Sequence, residues 1–347
     1  MMGFFMVHSL LSKYSMKKSE VKKLQKGDTI ALIAPSGSFK KISSIGPVAS
    51  KRLEDEFGTR IKYSKNSMEE ADILGSSSIK SRVTDLHNAF KDKNIKAIIC
   101  ATGGYNTNDL LPYIDWKIIK DNPKPFIGSS DITVLLNAIY AKTGVITYHG
   151  PNFFKFGMKL GLEYTLEYFK YSLFSKDAYP LLPSKKWNED KWYRDQDNRI
   201  FTENKGYLIC STGKAEGVLV GGNLCSFNLL QGTGYMPKLK GAILCIEDDD
   251  LAGDSAFGEF YRNFHSLLQQ PEADFIKGIL IGRFLSNCQM TVEKINFIIK
   301  SNKKLRSIPV IANVDFGHTD PSVTLPIGGG AELFVTKTKA EIRINKH

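Results

Sequence analysis

Between residues 126 and 151 the chain changes its period, and that switch constrains the fold more than any other feature. Phe126-Ile127-Gly128 closes a short apolar run that reads as the end of a buried strand. From Asp131 onward, Ile132, Leu135, Leu136 and Ile139 recur at helical spacing, and Gly144 follows as a stop signal. The chain therefore turns from strand to helix at Gly128-Ser129-Ser130-Asp131. A serine on such a turn is pushed clear of the backbone at the positive end of a helix. The next amide is then free to hydrogen-bond an oxyanion. That is the physics of a nucleophile elbow, although the pattern is not Gly-x-Ser-x-Gly. Ser130 and Asp131 are also readable as a plain helix cap, and this stretch alone leaves both open.

Residues 29–34 and 95–101 are further continuous apolar runs bounded by turn residues, as buried parallel strands are. Helical periods occupy residues 45–57 and 78–91, with a short strand at 60–64. Pro35-Ser36-Gly37-Ser38 follows the first run, but without a Walker lysine it is a weak anion-binding signal. Gly103 and Gly104 follow the second. They make either a tight turn or exposed backbone N–H groups that face Ser130 as a second oxyanion donor. The alternation predicts an α/β fold, with a mostly parallel N-terminal sheet over residues 19–175 and sites at the strands' C-terminal ends.

Residues 176–205 lose the pattern and read as a loop or linker. Trp187, Trp192 and Tyr193 in it either face a ligand or pack the two domains together. Residues 206–347 predict a C-terminal α/β domain that closes in β-hairpins at 323–329 and 331–344. Its strands run out at Asn223, at Glu247-Asp248-Asp249-Asp250 and at His318. The acidic run suits a divalent metal, a single catalytic carboxylate or a solvated strand end.

A length of 347 residues suggests two domains, since single cores seldom grow past about 250–300 residues. The 47 Lys and Arg against 36 Asp and Glu give a net charge of +11. The basic residues are dense only between Lys13 and Lys26, which reads as a solvated arm. With no zinc-finger or RNA-binding signature, no nucleic-acid partner is expected. The five cysteines are far apart and read as buried free thiols of a cytoplasmic protein. No apolar run reaches membrane-spanning length, and no metal motif occurs. Residues 1–18 are expected to be a disordered extension, with Met16 as an alternative start.

Taken in order, the motifs resemble the serine peptidases that comprise murein LD-carboxypeptidases and microcin C immunity proteins. They are Lys26-Gly27-Asp28, Ala34-Pro35-Ser36, Gly103-Gly104-Tyr105, Gly128-x-Ser130-Asp131, His149-Gly150-Pro151, Gly221-Gly222-Asn223, Ile246-Glu247-Asp248, Gly282-Arg283-Phe284, Gly317-His318-Thr319 and Leu325-Pro326-Ile327-Gly328. The resemblance implies Ser130 as nucleophile, His318 as general base and acid, and Glu247 as the carboxylate that orients it. Backbone N–H groups of Gly104 and Asp131 would form the oxyanion hole, and Asn223 would shape the site. No metal and no cofactor are implied. The family usually has an aromatic residue where Ser129 stands. Residues 103–108, Tyr235-Met236-Pro237 and the long tryptophan-bearing loop are closer to the immunity branch. That implies a peptidyl-nucleotide substrate stacked on Trp187 or Trp192, with a murein tetrapeptide as the alternative. A homodimer is the expected assembly.

Overall fold

The computed structural model describes residues 21–70, 72–249 and 251–347. The expected extension over residues 1–18, Met16 and Asp250 lie outside them. One sheet has six strands in the order Leu325–Ile327, Thr147–His149, Phe126–Gly128, Ile95–Cys100, Thr29–Ile33, Arg60–Tyr63. The last five pair in parallel. Strand side chains alternate between faces, and this sheet has a core on each. Ile30 and Leu32 join Phe153, Phe156 and Phe169 on one side. Ala31 and Ile33 join Leu86, Phe90, Leu135 and Ile139 on the other.

The second sheet has eight strands. Gly213–Asn223, Ala242–Glu247, Gly278–Gly282 and Val310–Val314 run parallel at its centre. Antiparallel strands flank them on both sides. The architecture is thus the two-part α/β arrangement expected from the alternation.

Two local expectations differ. Gly330–Val335 and Ala340–Lys346 do form a hairpin. Leu325–Ile327, however, leaves the second sheet and pairs antiparallel with Thr147–His149. The glycines after it allow the crossing: at Gly328, φ is +88°, and a Cβ would lie 2.2 Å from the Tyr140 ring. Residues 176–205 are also more ordered than the polar sequence suggests. Tyr179–Leu181 forms an edge strand on Ala340–Lys346, and Lys186–Trp187 pairs with Thr202–Glu203. Of the five cysteines expected to be buried, Cys225 is exposed and Cys210 is half-buried.

The helix Thr133–Thr143 is buried on almost every side from Thr133 to Ile139, not on one face as its apolar spacing suggests. Its second neighbour is the other half of the molecule. Asn137 donates from Nδ2 to the Gly221 carbonyl and accepts from the Gly221 amide, at 2.8 and 3.0 Å. A buried side-chain amide that meets both backbone polar groups of one residue leaves neither of them unpaired. Thr133 Oγ1 accepts from the Asn223 amide at 3.0 Å. These bonds seat the helix that follows Ser130 against the strand ends of the second sheet.

Candidate active site

Ser130 sits between the strand Phe126–Gly128 and the helix, at φ +62°. That left-handed conformation costs an L-residue about 1–2 kcal/mol, and it aims the hydroxyl outward. Ser130 Oγ lies 3.2 Å from His318 Nε2, and His318 Nδ1 lies 2.7 Å from Glu247 Oε2. Serine O–H can donate to one ring nitrogen while the other ring N–H donates to the carboxylate. Glu247 is the last residue of Ala242–Glu247 and is 1% exposed. The close approach of the His318 segment requires glycine. A Cβ at Gly317, where φ is +108°, would lie 2.7 Å from Glu247 Oε2, and one at Gly282 would lie 2.6 Å from Glu247 Cβ.

Electrostatics follow from that burial. Burial alone would raise the Glu247 carboxyl, but the His318 charge and its hydrogen bond hold it well below the usual range. Burial alone would lower His318, but the Glu247 charge outweighs it and raises the imidazole. Next door, burial and the charges of Glu247 and Asp249 push the Asp248 carboxyl up to about 7.

The two adjacent serines do different things. Ser129 Oγ accepts from Asn152 Nδ2 at 3.2 Å, and the Ser129 amide donates to Asn152 Oδ1 at 3.1 Å. Only Ser130 is bonded to His318. Asp131 turns inward and is 3% exposed. Its Oδ2 accepts from Ser36 Oγ at 2.5 Å, from the Thr107 amide at 3.0 Å and from Thr107 Oγ1 at 2.5 Å. One carboxylate thus ties together the loops after three parallel strands. Gly103 and Gly104 lie in the middle loop. A Cβ on Gly103 would be 3.0 Å from Ser130 Oγ, and one on Gly104 would be 2.3 Å from Ser36 Oγ. Gly103 thus keeps the backbone close to Ser130, and Gly104 keeps it close to Ser36.

Gly103, Gly104, Ser130 and His318 line a cleft of about 510 Å³ that also holds Tyr105, Phe154, Lys155, Trp192, Tyr193 and Asp320. Lys155 Nζ and Asp320 Oδ1 pair at 2.6 Å. The tryptophans are placed differently from one another. Trp187 is outside the cleft lining, under the Arg283 guanidinium at 5.1 Å. Trp192 reaches the cleft but is 2% exposed and stacked on Phe154, 14° from parallel. The open aromatic faces belong to Tyr105 and Tyr193, 60% and 54% exposed. Asn223 Oδ1 caps the short helix after it, accepting from the amide and hydroxyl of Ser226.

Sequence reasoning missed the inward anchor of Asp131, for which the Pro35-Ser36-Gly37 loop was the available signal. It also missed His149, whose Nε2 lies 3.8 Å from Glu247 Oε1. Among the described residues no cluster of three or more His, Cys, Asp or Glu side chains is arranged to hold a metal ion. No helix among them is long and apolar enough to cross a membrane.

Comparison with known proteins gives the same frame. Residues 30–150 match the LD-carboxypeptidase N-terminal domain and residues 216–333 the LD-carboxypeptidase C-terminal domain, of the peptidase family S66. A Bacillus subtilis protein named "Putative carboxypeptidase YocD" is 43% identical over 94% of this chain and 99% of its own. The crystal structure of an MccF-like protein from Bacillus anthracis is 49% identical, with a TM-score of 0.92, covering 94% of this chain and 98% of that one. The microcin C7 self-immunity protein MccF of Escherichia coli is 33% identical over 74% of this chain and 76% of its own. A solved complex of microcin C7 self-immunity protein MccF with aspartyl sulfamoyl adenosine has a TM-score of 0.82 at 28% identity, covering 94% and 98%. The chain therefore belongs to the S66 peptidase family of LD-carboxypeptidases, whose two domains it carries in order.

Proposed function

We propose that this chain is a serine-type carboxypeptidase that hydrolyses an amide bond, with Ser130, His318 and Glu247 as its triad. The observation that carries this is the unbroken chain of contacts at 3.2 and 2.7 Å from hydroxyl to imidazole to buried carboxylate. Ser130 Oγ attacks the substrate carbonyl as His318 Nε2 takes its proton. Glu247 stabilises the imidazolium that forms and fixes the ring tautomer. The amides of Asp131 and Gly104 receive the oxyanion. His318 then returns the proton to the leaving nitrogen, and water releases the acyl group from Ser130 by the reverse sequence. The unit over residues 19–175 supplies the nucleophile, and the unit over residues 206–347 supplies histidine and glutamate. Free thiols at Cys100, Cys210, Cys225 and Cys245 suit a cytoplasmic site of action.

The substrate is an acidic aminoacyl group joined by an amide-type linkage to a nucleotide, and its hydrolysis detoxifies a microcin C-type compound. Open aromatic faces at Tyr105 and Tyr193, with Lys155 between loops of the same cleft, support this substrate class. So does the likeness to MccF, solved with aspartyl sulfamoyl adenosine. Cleavage of a terminal D-residue from a murein tetrapeptide is the second reading, favoured by the match to both LD-carboxypeptidase domains.

The test offers wild type and Ser130→Ala two substrates, aspartyl-sulfamoyl adenosine and an L,D-linked murein tetrapeptide. The expected result is release of aspartate from the first, lowered about 10³-fold or more by the substitution. Cleavage of the tetrapeptide alone would replace the nucleotide substrate with the murein one. Unchanged turnover in Ser130→Ala would remove the triad.

A further inference from the structure

Glu247 has two carboxylate oxygens, and the triad uses one. Oε2 accepts from His318. Oε1 is buried and accepts from no described protein group. The nearest ionisable partner on that side is His149 Nε2, at 3.8 Å. His149 is 2% exposed, and neither of its ring nitrogens has a hydrogen-bond partner among the described residues. Leaving a buried polar atom unpaired is costly, and here two unpaired groups face each other across a gap slightly too long for a bond.

The ring has little freedom to turn elsewhere. It packs edge-on against Phe316 at 5.9 Å, 88° between planes. Gly222 closes the other side, where an added Cβ would lie 2.9 Å from His149 Cδ2. His149 ends a strand of the first sheet and Glu247 ends a strand of the second. The contact therefore spans the seam between the two sheets.

We infer that His149 is a positioning residue: its Nε2–H donates to Glu247 Oε1 and holds the carboxylate aimed at His318 across the seam between the two halves. This rests on the assignment of Ser130, His318 and Glu247 as the triad. The effect on His318 has a definite sign. A donor on Oε1 draws charge from the carboxylate, so Oε2 binds the imidazolium less tightly. Removing the donor concentrates that charge on His318 and raises its basicity further. Other charges facing the pair are Asp248 and Asp249 at the end of the Glu247 strand and Lys155 from the first half. The substitution leaves all three in place.

The experiment is a titration of ¹⁵N-labelled histidine side chains by NMR in wild type, His149→Phe and His149→Gln. Phenylalanine keeps the ring's shape without a donor, and glutamine restores an N–H donor. In wild type, His149 is expected to carry a proton on Nε2. His149→Phe is expected to raise the His318 midpoint by roughly half to one pH unit, and His149→Gln to bring it back toward wild type. A midpoint unmoved in both variants, or moved equally in both, would overturn the inference. If His149→Phe does not fold, the wild-type spectrum decides: a His149 ring with its proton on Nδ1 and none on Nε2 overturns it. The titration reads imidazoles and not turnover. Its failure therefore leaves Ser130 as nucleophile, whereas a fully active Ser130→Ala would remove the triad with the titration unchanged.

Discussion

Asp131 follows Ser130 yet turns its side chain away from the cleft, and replacing it measures how the Ser130 turn is held. Three donors converge on its Oδ2: Ser36 Oγ, the Thr107 amide and Thr107 Oγ1. Each bond is charge-assisted, worth about 1.5–3 kcal/mol. The two hydroxyls can rotate toward other acceptors, so they count at the low end. The buried Thr107 amide cannot rotate. Asp131→Ala is therefore expected to lose about 4–6 kcal/mol, a large part of the ~5–15 kcal/mol that holds a typical domain. Asp131→Asn keeps an oxygen in the same place and weakens all three bonds to neutral strength, so about 1–3 kcal/mol is lost. Urea unfolding followed by circular dichroism at neutral pH reads both values. Turnover should fall in the same order, because the Asp131 amide and the Gly103-Gly104 loop both hang on this carboxylate. Equal losses in the two variants, or a loss below about 1 kcal/mol in Asp131→Ala, would refute the idea that this anchor sets the turn.

Four other outcomes are expected. With His318 raised by Glu247, the free base that accepts the serine proton appears only above the ordinary imidazole value of about 6.5. kcat/KM should rise with pH through the raised value, and Glu247→Gln should move that limb to lower pH while lowering kcat. The same pair bears on stability. The raised histidine contributes fully below about pH 6.5 and loses that as pH rises through its raised value. The depressed glutamate contributes above about pH 4.3 and loses that as pH falls through its lowered value. A melting temperature independent of pH at both ends would contradict this. Gly222→Ala should destabilise by about 2–5 kcal/mol, because φ is +134° and a Cβ would stand 2.5 Å from Thr133 Oγ1; an alanine tolerated within 0.5 kcal/mol, roughly the scatter of neutral substitutions, would refute it. Tyr193→Ala should raise KM for the nucleotide substrate about tenfold while leaving the tetrapeptide unchanged, from ~1–3 kcal/mol of base stacking; Trp192→Ala should instead act mainly on the melting curve, since that ring is buried on Phe154. Equal KM effects on both substrates would reject the stacking role.

What the sequence made legible was the part governed by local chemistry. Continuous apolar runs marked the parallel strands because both faces of that sheet are covered. Ser130, Glu247 and the His318 segment each sit where such a run gives way to glycine and polar residues, so the strand ends marked them as candidates, and the family resemblance was needed to join them. Contacts set by the meeting of distant segments were not legible. Nothing in the spacing of residues 131–139 says that Asn137 faces a second domain, because the amide that it satisfies lies 84 residues away. Trp187 and Trp192 sit in similar polar surroundings in the chain, yet one lies under Arg283 and the other on Phe154. Which ring meets the cleft is decided by packing partners from other segments.

The same long-range contacts hold together a candidate site that is split between two sheets. Ser130 and His318 are 188 residues apart and belong to different halves. A hydrogen bond of 3.2 Å tolerates a misplacement of only a few tenths of an ångström, so the seam must be as stiff as a single core. Four features supply that stiffness. Asn137 clamps both polar groups of Gly221, and Thr133 takes the Asn223 amide. Gly222 lets the strand end touch the helix that carries Thr133. A few residues beyond His318, Leu325–Ile327 is woven into the first sheet beside Thr147–His149. The histidine is thus fixed on one side by the Val310–Val314 strand of its own sheet and on the other by a strand of the serine's sheet. Substitutions in the seam should therefore lower kcat for every substrate alike, whereas those on the cleft wall should discriminate between substrates through KM.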